Sequence, residues 1–400
     1  MTDPRVVIYL DSNDYSTLSD PRRRTDALDK VRCALLELAS SPSVLFAFSG
    51  AHLSEMAPLE AKYAPAATAR ADLLIELCGR NAFISFDRLI KAELAHLANS
   101  PAVAPQVLSS NADWFPELED VISPIKWADT AREIDSSIKE RGLNREQRRT
   151  LKRQLFKSNQ PRPSMRGWLA SQAEGGDTTD ILRLYPMRPE DAKVLGRYVL
   201  GHATTEQAET AFLESLRDPR WMMRWFAAHS DKLTPVTEWL RGPSRDMADR
   251  MKEIAAGAQE LRRLEAIPKA GFRAEMLTPS GWKAAQNLLL LNVANRLLVQ
   301  FYPECASIDN VEIIDARCPG LSTAIRSLHS ALWDSVGTRP RTPQESDFVD
   351  AVHSMYAPYV SIFRADRYMA PHIQRQVAHH QTRVVSRLED LPDQISGMLR

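Results

Sequence analysis

Two short apolar runs, one near each end of the chain, both lead to an aspartate. Residues 6–10 (VVIYL) run directly into Asp11, and residues 359–363 (YVSIF) are followed by Arg-Ala and then Asp366. A run of about five apolar or β-branched residues predicts a buried strand of a parallel sheet. Open α/β sheets form their ligand sites at the carboxyl ends of their strands. The pattern therefore predicts one acidic site assembled from both ends of the chain.

The first hundred residues alternate between strand and helix patterns. Residues 26–38 carry apolar side chains at helical spacing, and residues 43–48 (SVLFAF) predict a second strand before a helix that contains Glu55. The following units are predicted as a helix at 66–77, a strand at 82–86 and a helix at 86–98. Repeated strand–helix units predict a parallel sheet with right-handed crossovers.

Helical patterns dominate from about Pro101 to Tyr359. The clearest helices are predicted at 117–157, 189–229, 244–265 and 279–300. Residues 311–314 (VEII) are interpreted as a strand, and further helices are predicted at 319–333 and 344–355. A last helix is predicted from Pro371 to about Leu388. The predicted fold class is therefore α/β, with a parallel sheet that is flanked by helices and built from both chain ends, plus a large all-α insertion domain. The predicted boundaries are 1–98, 99–343 and 344–400.

Composition changes this picture little. The chain has 400 residues, 44% of them hydrophobic and 26% charged, which is ordinary for a globular protein. Lys plus Arg equals Asp plus Glu at 51 each, so any affinity for nucleic acid must come from a local patch. The four cysteines lack metal-type spacing, the N-terminal residues show no signal-peptide pattern, and no apolar stretch is long enough to span a bilayer. These features predict a cytoplasmic protein without a membrane partner.

The acidic residues near the predicted strand ends carry the candidate chemistry. Asp11 and Asp366 follow strands, Glu55 lies on the helix after the second strand, and Asp347 and Asp350 are three residues apart on one helical face. Clustered carboxylates repel one another unless a cation neutralises them. Oxygen ligands of this kind suit Mg²⁺ or Mn²⁺, and such sites hydrolyse phosphodiester bonds with an activated water molecule.

Three segments resemble PIN-like domains: LDSNDYS at 10–16, SGAHLSEM at 49–56 and SDFVDAVHSMYAPYVSIFRADRYM at 346–369. The resemblance covers residues 1–98 and 344–372. It implies a PIN-like parallel sheet and four catalytic acids that bind Mg²⁺ or Mn²⁺, namely Asp11, Glu55, Asp350 and Asp366. Asp347 also fits the third position, and Asp350 is preferred because it begins the run that leads most directly into the last strand. The chain departs from the family in its helical insertion.

Further residues near these acids are accessory candidates. Asn13 and Ser16 stand close to Asp11 in sequence and either orient it or shape a turn. His353 either contacts a phosphate or packs in the interior. Arg364 either holds the scissile phosphate or is an ordinary surface arginine.

The predicted insertion contains the one local basic run of the chain, within residues 141–157. The residues assigned to nucleic-acid binding are Arg145, Arg148, Arg149, Lys152 and Arg153. Spacings of three and four place several of them on one side of a helix, which would suit a nucleic-acid backbone. The alternative is a solvated helix face whose cations pair with Glu140 and Glu146.

The leading hypothesis is a metal-dependent endoribonuclease that hydrolyses phosphodiester bonds. Single-stranded RNA is favoured over DNA as the substrate, and a regulatory protein is a further candidate partner. The alternative is a catalytically inactive PIN-like scaffold whose helical insertion binds a protein or RNA partner.

Overall fold

The computed structural model describes residues 5–23, 25–58, 60–98, 104–115, 156–157, 160–161, 187–199, 202–228, 235–265, 275–337 and 340–400. The chain divides into two compact units. Unit 1 combines Met1–Glu117 with Phe226–Arg400, and unit 2 is Leu118–Trp225. Among the described helices, none is both long and apolar enough to cross a membrane.

The N-terminal part of unit 1 alternates strands and helices, as predicted. Its elements are β1 (Val6–Tyr9), α1 (Ser12–Ser19), α2 (Asp26–Ala39), β2 (Val44–Ala47), α3 (Gly50–Met56), α4 (Ala64–Cys78), β3 (Ala82–Phe83), α5 (Phe86–Ala98) and β4 (Leu108–Ser109). Helix α1 begins directly after β1 because Asp11 caps it. The Asp11 carboxylate accepts the backbone N–H of Asn13, and the Asp14 carboxylate accepts the backbone N–H of Asp11.

Unit 2 corrects two expectations. Its described elements are a hairpin of β5 (Phe156–Lys157) and β6 (Gln160–Pro161) and the helices α6 (Pro189–Val199), α7 (Thr205–Leu216) and α8 (Pro219–Ala228), the last of which crosses the unit boundary. The single helix predicted over 189–229 is wrong, because Thr204 and Gln207 form a capping box that starts α7 and Pro219 starts α8. The predicted 99–343 segment is also not purely helical, since β4, β5 and β6 lie within it. Strands of two residues carry no periodic signal.

Four helices follow in unit 1: α9 (Pro235–Glu265), α10 (Pro279–Phe301), α11 (Val311–Arg317) and α12 (Pro319–Ser335). They belong to the same compact unit as the sheet, so unit 2 is narrower than the predicted insertion. The strand expected at 311–314 is wrong: these residues form the start of α11, because the Asn310 side chain accepts the backbone N–H of Glu312.

The C-terminal part contains α13 (Ser346–Ser354), β7 (Ile362–Arg364), α14 (Ala370–Val377), β8 (Arg383–Val385) and α15 (Leu391–Met398). The helix predicted from Pro371 to Leu388 is therefore too long. Helix α14 ends at Val377, and Gln381 takes a left-handed backbone conformation with φ of 61° before β8 begins. The chain turns there and adds an edge strand to the sheet.

The central sheet has four parallel strands in the order β2–β1–β7–β8. In the register of β1 and β7, Ile8 lies opposite Ile362 and Tyr9 opposite Phe363. The two apolar runs from the chain ends are thus neighbours, which confirms a mixed α/β fold with a parallel sheet built from both ends and flanked by helices. Because the strands are parallel, Asp11 and Asp366 lie at the same edge of the sheet.

The core beneath that edge is aromatic. The ring of Tyr9 stacks on Phe363 with centroids 5.2 Å apart and on Tyr356 at 5.5 Å, and all three side chains are fully buried. Aromatic pairs of this kind contribute about 0.5–1.5 kcal/mol each beyond the burial of their surface. This packing fixes the end of β1, and with it the start of α1 at Asp11.

Candidate active site

The four predicted acids surround one edge of the sheet. Asp11 follows β1, Asp366 follows β7, Glu55 lies on α3 and Asp350 lies on α13. Asp11 and Asp350 line the same small cavity. The pKa of Asp350 is raised well above its usual range by burial and then by the negative charges of Glu55, Asp11 and Asp366. The charges of Glu55, Asp11 and Asp366 therefore each act on the Asp350 carboxylate, although the four acids come from different parts of the chain.

Two of these carboxylates hold backbone groups at helix starts. Oδ1 of Asp11 accepts the N–H of Asn13 at 2.8 Å, and Oδ1 of Asp366 accepts the N–H of Met369 at 2.6 Å. By contrast, no hydrogen bond to the Asp350 carboxylate is found among the residues that the structure describes. Asp350 is thus the member of the cluster whose charge is least compensated.

The pKa shifts of Asp11 and Glu55 have opposite directions. Burial raises the pKa of Asp11, against the opposing effects of the Asn13 hydrogen bond and the His353 charge. Burial also favours a raised pKa for Glu55, whose side chain is one-third exposed, but the hydrogen bond and charge of His353 outweigh it and lower this pKa. Glu55 is therefore the acid whose ionised form is already stabilised by a protein partner.

His353 connects the acidic cluster to the sheet. Its Nε2 lies 2.8 Å from Oε2 of Glu55, and its Nδ1 lies 2.6 Å from the hydroxyl of the buried Tyr9. The Tyr9 hydroxyl is in turn 2.6 Å from Oγ of Ser49, and Oγ of Ser12 is 3.4 Å from Nε2 of His353. His353 was an accessory candidate in the sequence, and the structure brings it into direct contact with a predicted ligand. In the sequence, the only sign of this contact is the hydroxyl of Tyr9, a polar group within an apolar strand that needs a hydrogen-bond partner when it is buried.

His52 is a site residue that sequence reasoning missed. Its Nδ1 accepts the backbone N–H of Ser49 at 3.0 Å, so Nε2 carries the proton and donates to the carbonyl of Leu10 at 2.9 Å. Burial lowers the pKa of His52 to about 3, which keeps the ring neutral. The ring holds the residue directly before Asp11 and lies 4.8 Å from the ring of His353. His52 lies in the turn-like sequence SGAH, where neither a hydrophobic period nor a charge pattern distinguishes it as a site residue.

Arg364 is buried rather than exposed, with 9% of its surface accessible. Its Nη2 forms an ion pair with Oδ1 of Asp14 at 3.1 Å, and the other oxygen of Asp14 accepts the backbone N–H of Asp11 at 3.1 Å. Burial raises the pKa of Asp14 to about 7 in spite of the Arg364 charge. Arg364 thus lines the same cavity as Asp11 and Asp350 and, through Asp14, supports the backbone that carries the Asp11 carboxylate.

The remaining candidates lie apart from the Asp11–Asp350 cavity. Asp347 is buried, and its carboxylate accepts hydrogen bonds from Nη1 and Nη2 of Arg341 at 2.6 and 2.7 Å. Its charge is thus matched within the protein, in contrast to that of Asp350. Asn13 and Ser16 line a separate cavity. The basic residues assigned to nucleic-acid binding, Arg145, Arg148, Arg149, Lys152 and Arg153, lie outside the described residues.

The donor set fits a hard cation by its chemistry, because four carboxylates offer oxygen ligands and mutual repulsion that a divalent ion relieves. The carboxylates are, however, farther apart than the ligands of one bound metal ion would be. Within the described parts of the chain, no group of three or more His, Cys, Asp or Glu side chains is gathered closely enough to hold a metal ion. Asp11, Glu55 and Asp366 each hold a protein partner instead.

Comparison with protein-family models, with curated proteins and with solved structures found no match to this chain. The resemblance to PIN-like domains therefore rests on the three sequence segments, and it stays a prediction.

Proposed function

We propose that the acidic cluster binds Mg²⁺ or Mn²⁺ and that the protein is a metal-dependent endoribonuclease, a hydrolase of phosphodiester bonds in single-stranded RNA. The observation that carries this proposal is that Asp11 and Asp350 line one cavity at the edge of the sheet, where burial and then the negative charges of Glu55, Asp11 and Asp366 raise the pKa of Asp350. Repulsion between neighbouring carboxylates lowers stability, and such clusters are concentrated at functional sites.

A bound divalent cation would supply Lewis acidity, which lowers the pKa of water and withdraws negative charge from a phosphodiester. The chain's own residues prepare the site for it. Asp11 and Asp350 face one cavity, and the Arg364–Asp14 ion pair supports the backbone of Asp11. His353 holds the Glu55 carboxylate through Nε2, while the Tyr9 hydroxyl fixes the ring at Nδ1. These contacts limit the rotation of the side chains, which preorganises the site.

The choice of RNA rests on the PIN-like resemblance. We propose a PIN-like fold for the sheet and its helices, with the region that includes unit 2 inserted between its two parts. The resemblance also supports a regulatory protein partner, and the absence of a gathered ligand set among the described residues favours the second candidate function, a catalytically inactive scaffold that binds RNA or protein.

Cleavage of an unstructured RNA in Mn²⁺ tests the proposal. Asp11→Asn keeps an oxygen that accepts the Asn13 N–H, so the start of α1 is preserved while one charge is lost. We expect this variant to lose cleavage by about 100-fold or more, which corresponds to about 2.7 kcal/mol. The matched control, Asp246→Asn at an exposed aspartate of α9, should keep the wild-type rate.

Two outcomes would contradict the proposed nuclease. The first is full cleavage by Asp11→Asn or in excess EDTA. The second is a wild-type protein that is folded and metal-loaded but leaves RNA intact, which would favour the inactive scaffold.

A further inference from the structure

A second cavity lies beside the acidic site, between α1 and α4, and has a volume of about 720 Å³. Its walls include polar residues of α1, the turn after α1 and the start of α4, namely Asn13, Ser16, Arg22, Arg23, Tyr63 and Arg70. We call this cavity the α1–α4 groove. The volume lies in the range of ligand-binding clefts.

The groove carries unbalanced positive charge. Among the described residues that line it are three guanidinium groups, Arg22, Arg23 and Arg70, and one carboxylate, Asp20. Asp20 lies 3.3 Å from Nε of Arg22 and 3.9 Å from Nε of Arg23, so a single acid serves two arginines. The groove therefore has a net positive charge in a protein whose total charge is zero.

Arg70 has an incomplete set of hydrogen-bond partners. Its Nη2 donates to the carbonyl of Met56 at 2.9 Å, whereas its Nε is buried without a hydrogen-bond partner. Burial, and then repulsion from the nearby charge of Arg23, lowers the pKa of Arg70. An anion placed between them would relieve this repulsion, and a phosphate has oxygens that match guanidinium donors.

Both walls of the groove are joined to residues of the acidic cluster. The backbone N–H of Asn13 donates to Oδ1 of Asp11, and the carbonyl that Arg70 holds belongs to Met56, the residue after Glu55. A chain that lies in the groove would thus extend away from the cluster along α1 and α4.

Tyr63 adds a surface for a base. It is 47% exposed, and Nζ of Lys62 lies 4.8 Å from the centre of its ring. Exposed aromatic rings beside arginines are the combination by which proteins bind single-stranded nucleic acids without sequence preference.

We propose that the α1–α4 groove binds single-stranded RNA, with Arg22, Arg23 and Arg70 on its phosphates and Tyr63 stacked on a base. The identification of the strand as RNA rests on the proposed function, whereas the charge and shape of the groove do not. The groove would be the surface that guides the backbone toward the acidic cluster.

Fluorescence anisotropy with a labelled oligouridylate tests this proposal in EDTA, so that cleavage plays no part. Arg22 and Arg23 have side chains that are 89% and 59% exposed, so Arg22→Ala/Arg23→Ala removes two charges with little effect on folding. We expect at least tenfold weaker binding. The slope of log K against log salt should fall in magnitude by about 1.4, since each phosphate contact on a single strand contributes about 0.7.

The matched control is Arg263→Ala/Arg387→Ala, which removes two exposed arginines, also paired with acids, outside the groove. It should keep the wild-type affinity and salt slope. Tyr63→Ala should weaken binding by about fivefold or more, because base stacking contributes about 1–3 kcal/mol, and should leave the salt slope unchanged.

The proposal is overturned if the wild-type protein does not bind the RNA, or if the groove variants bind it with the same affinity and salt slope as the control. Loss of binding in Arg22→Ala/Arg23→Ala supports the groove even when the wild-type protein shows no cleavage in Mn²⁺. The groove and the nuclease activity are thus tested separately.

Discussion

At the scale of single residues, Asp350 and Asp347 show how two similar carboxylates acquire different surroundings. Both lie on α13, three residues apart, and the sequence pattern permitted either as the third acid. Arg341 binds both oxygens of Asp347, whereas the charge on Asp350 is opposed by four nearby carboxylates, Asp347 among them. Arg341 lies in a Pro-rich connector whose path is not encoded in local spacing. The sequence therefore narrowed the choice, and a contact outside the helix separated the two.

Glu93 is another buried acid, and it lies away from the cluster. Its carboxylate accepts the backbone N–H groups of Gly320 at 2.6 Å and Leu321 at 2.9 Å and the hydroxyl of Tyr359, at the N-terminus of α12. Burial raises the pKa of Glu93 to about 7 in spite of these donors. The folded protein therefore binds this proton more tightly than the unfolded chain does.

The consequence is a pH-dependent contribution to stability. Because the unfolded pKa lies near the ordinary value of 4.5, the contribution of Glu93 is largest below that pH and is lost as the pH rises toward 7. In the wild-type protein, Glu93 should lower the free energy of unfolding by up to about 3 kcal/mol as the pH rises from 4.5 to 8. We predict that Glu93→Gln abolishes this pH-dependent loss of stability. Urea denaturation at several pH values measures it.

The control for this prediction is Glu37→Gln, at an exposed glutamate of α2. It should follow the wild-type pH profile. A Glu93→Gln profile that is parallel to the wild-type profile over the whole range would exclude a titrating Glu93.

At the scale of elements, α12 is held against α5 by close packing at its first turn. A Cβ atom at Gly320 would lie 2.7 Å from Oε1 of Glu93 and 2.7 Å from the carbonyl oxygen of Met355. The absence of a side chain therefore allows α12 to approach both neighbours, and Glu93 to cap its N-terminus.

We predict that Gly320→Ala lowers the free energy of unfolding by about 1–3 kcal/mol, because the added methyl group must displace a backbone carbonyl or break the Glu93 contact. Gly257→Ala is the matched control. Gly257 lies within α9 with nothing within 4 Å of its added Cβ, so the substitution should stabilise the helix by about 0.5–1 kcal/mol. Opposite signs in chemical denaturation support this account, and equal effects contradict it.

Elements with strong local signals were predictable, and those defined by distant partners were not. The bounds of α2, α4, α5 and α10 follow the apolar spacing and the caps to within about two residues. Strand β8 was missed, because its three residues are ordered by pairing with β7 and by the left-handed turn at Gln381 rather than by a periodic pattern.

At the scale of the whole molecule, the fold brings together residues that are far apart in sequence. Tyr9 and His353 touch across 344 positions, and β1 pairs with β7 across a similar separation. The two apolar runs were enough to predict this meeting, because buried parallel strands have a distinctive composition. The extent of the compact units was not predictable from the sequence. Helices α9 to α12 have ordinary amphipathic patterns, and such a pattern does not specify which surface the apolar face packs against.

The same long-range assembly determines which site residues can be predicted from the sequence. Strand ends indicated Asp11 and Asp366, and the resemblance indicated Glu55 and Asp350. The supporting contacts of His52, Asp14 and Arg364 depend on the folded backbone, which places them within hydrogen-bond distance of the residues they position or pair with.

The central claim is that the four carboxylates form one cation site, and calorimetric titration with Mn²⁺ at neutral pH tests it most directly. We predict saturable binding to the wild-type protein and to Asp246→Asn, and at least tenfold weaker binding to Asp350→Asn. In EDTA, Asp350→Asn should also be more stable than the wild-type protein by on the order of 1 kcal/mol, because the substitution removes an opposed charge. Absence of binding to the wild-type protein at millimolar Mn²⁺, or undiminished binding to Asp350→Asn, would contradict the account.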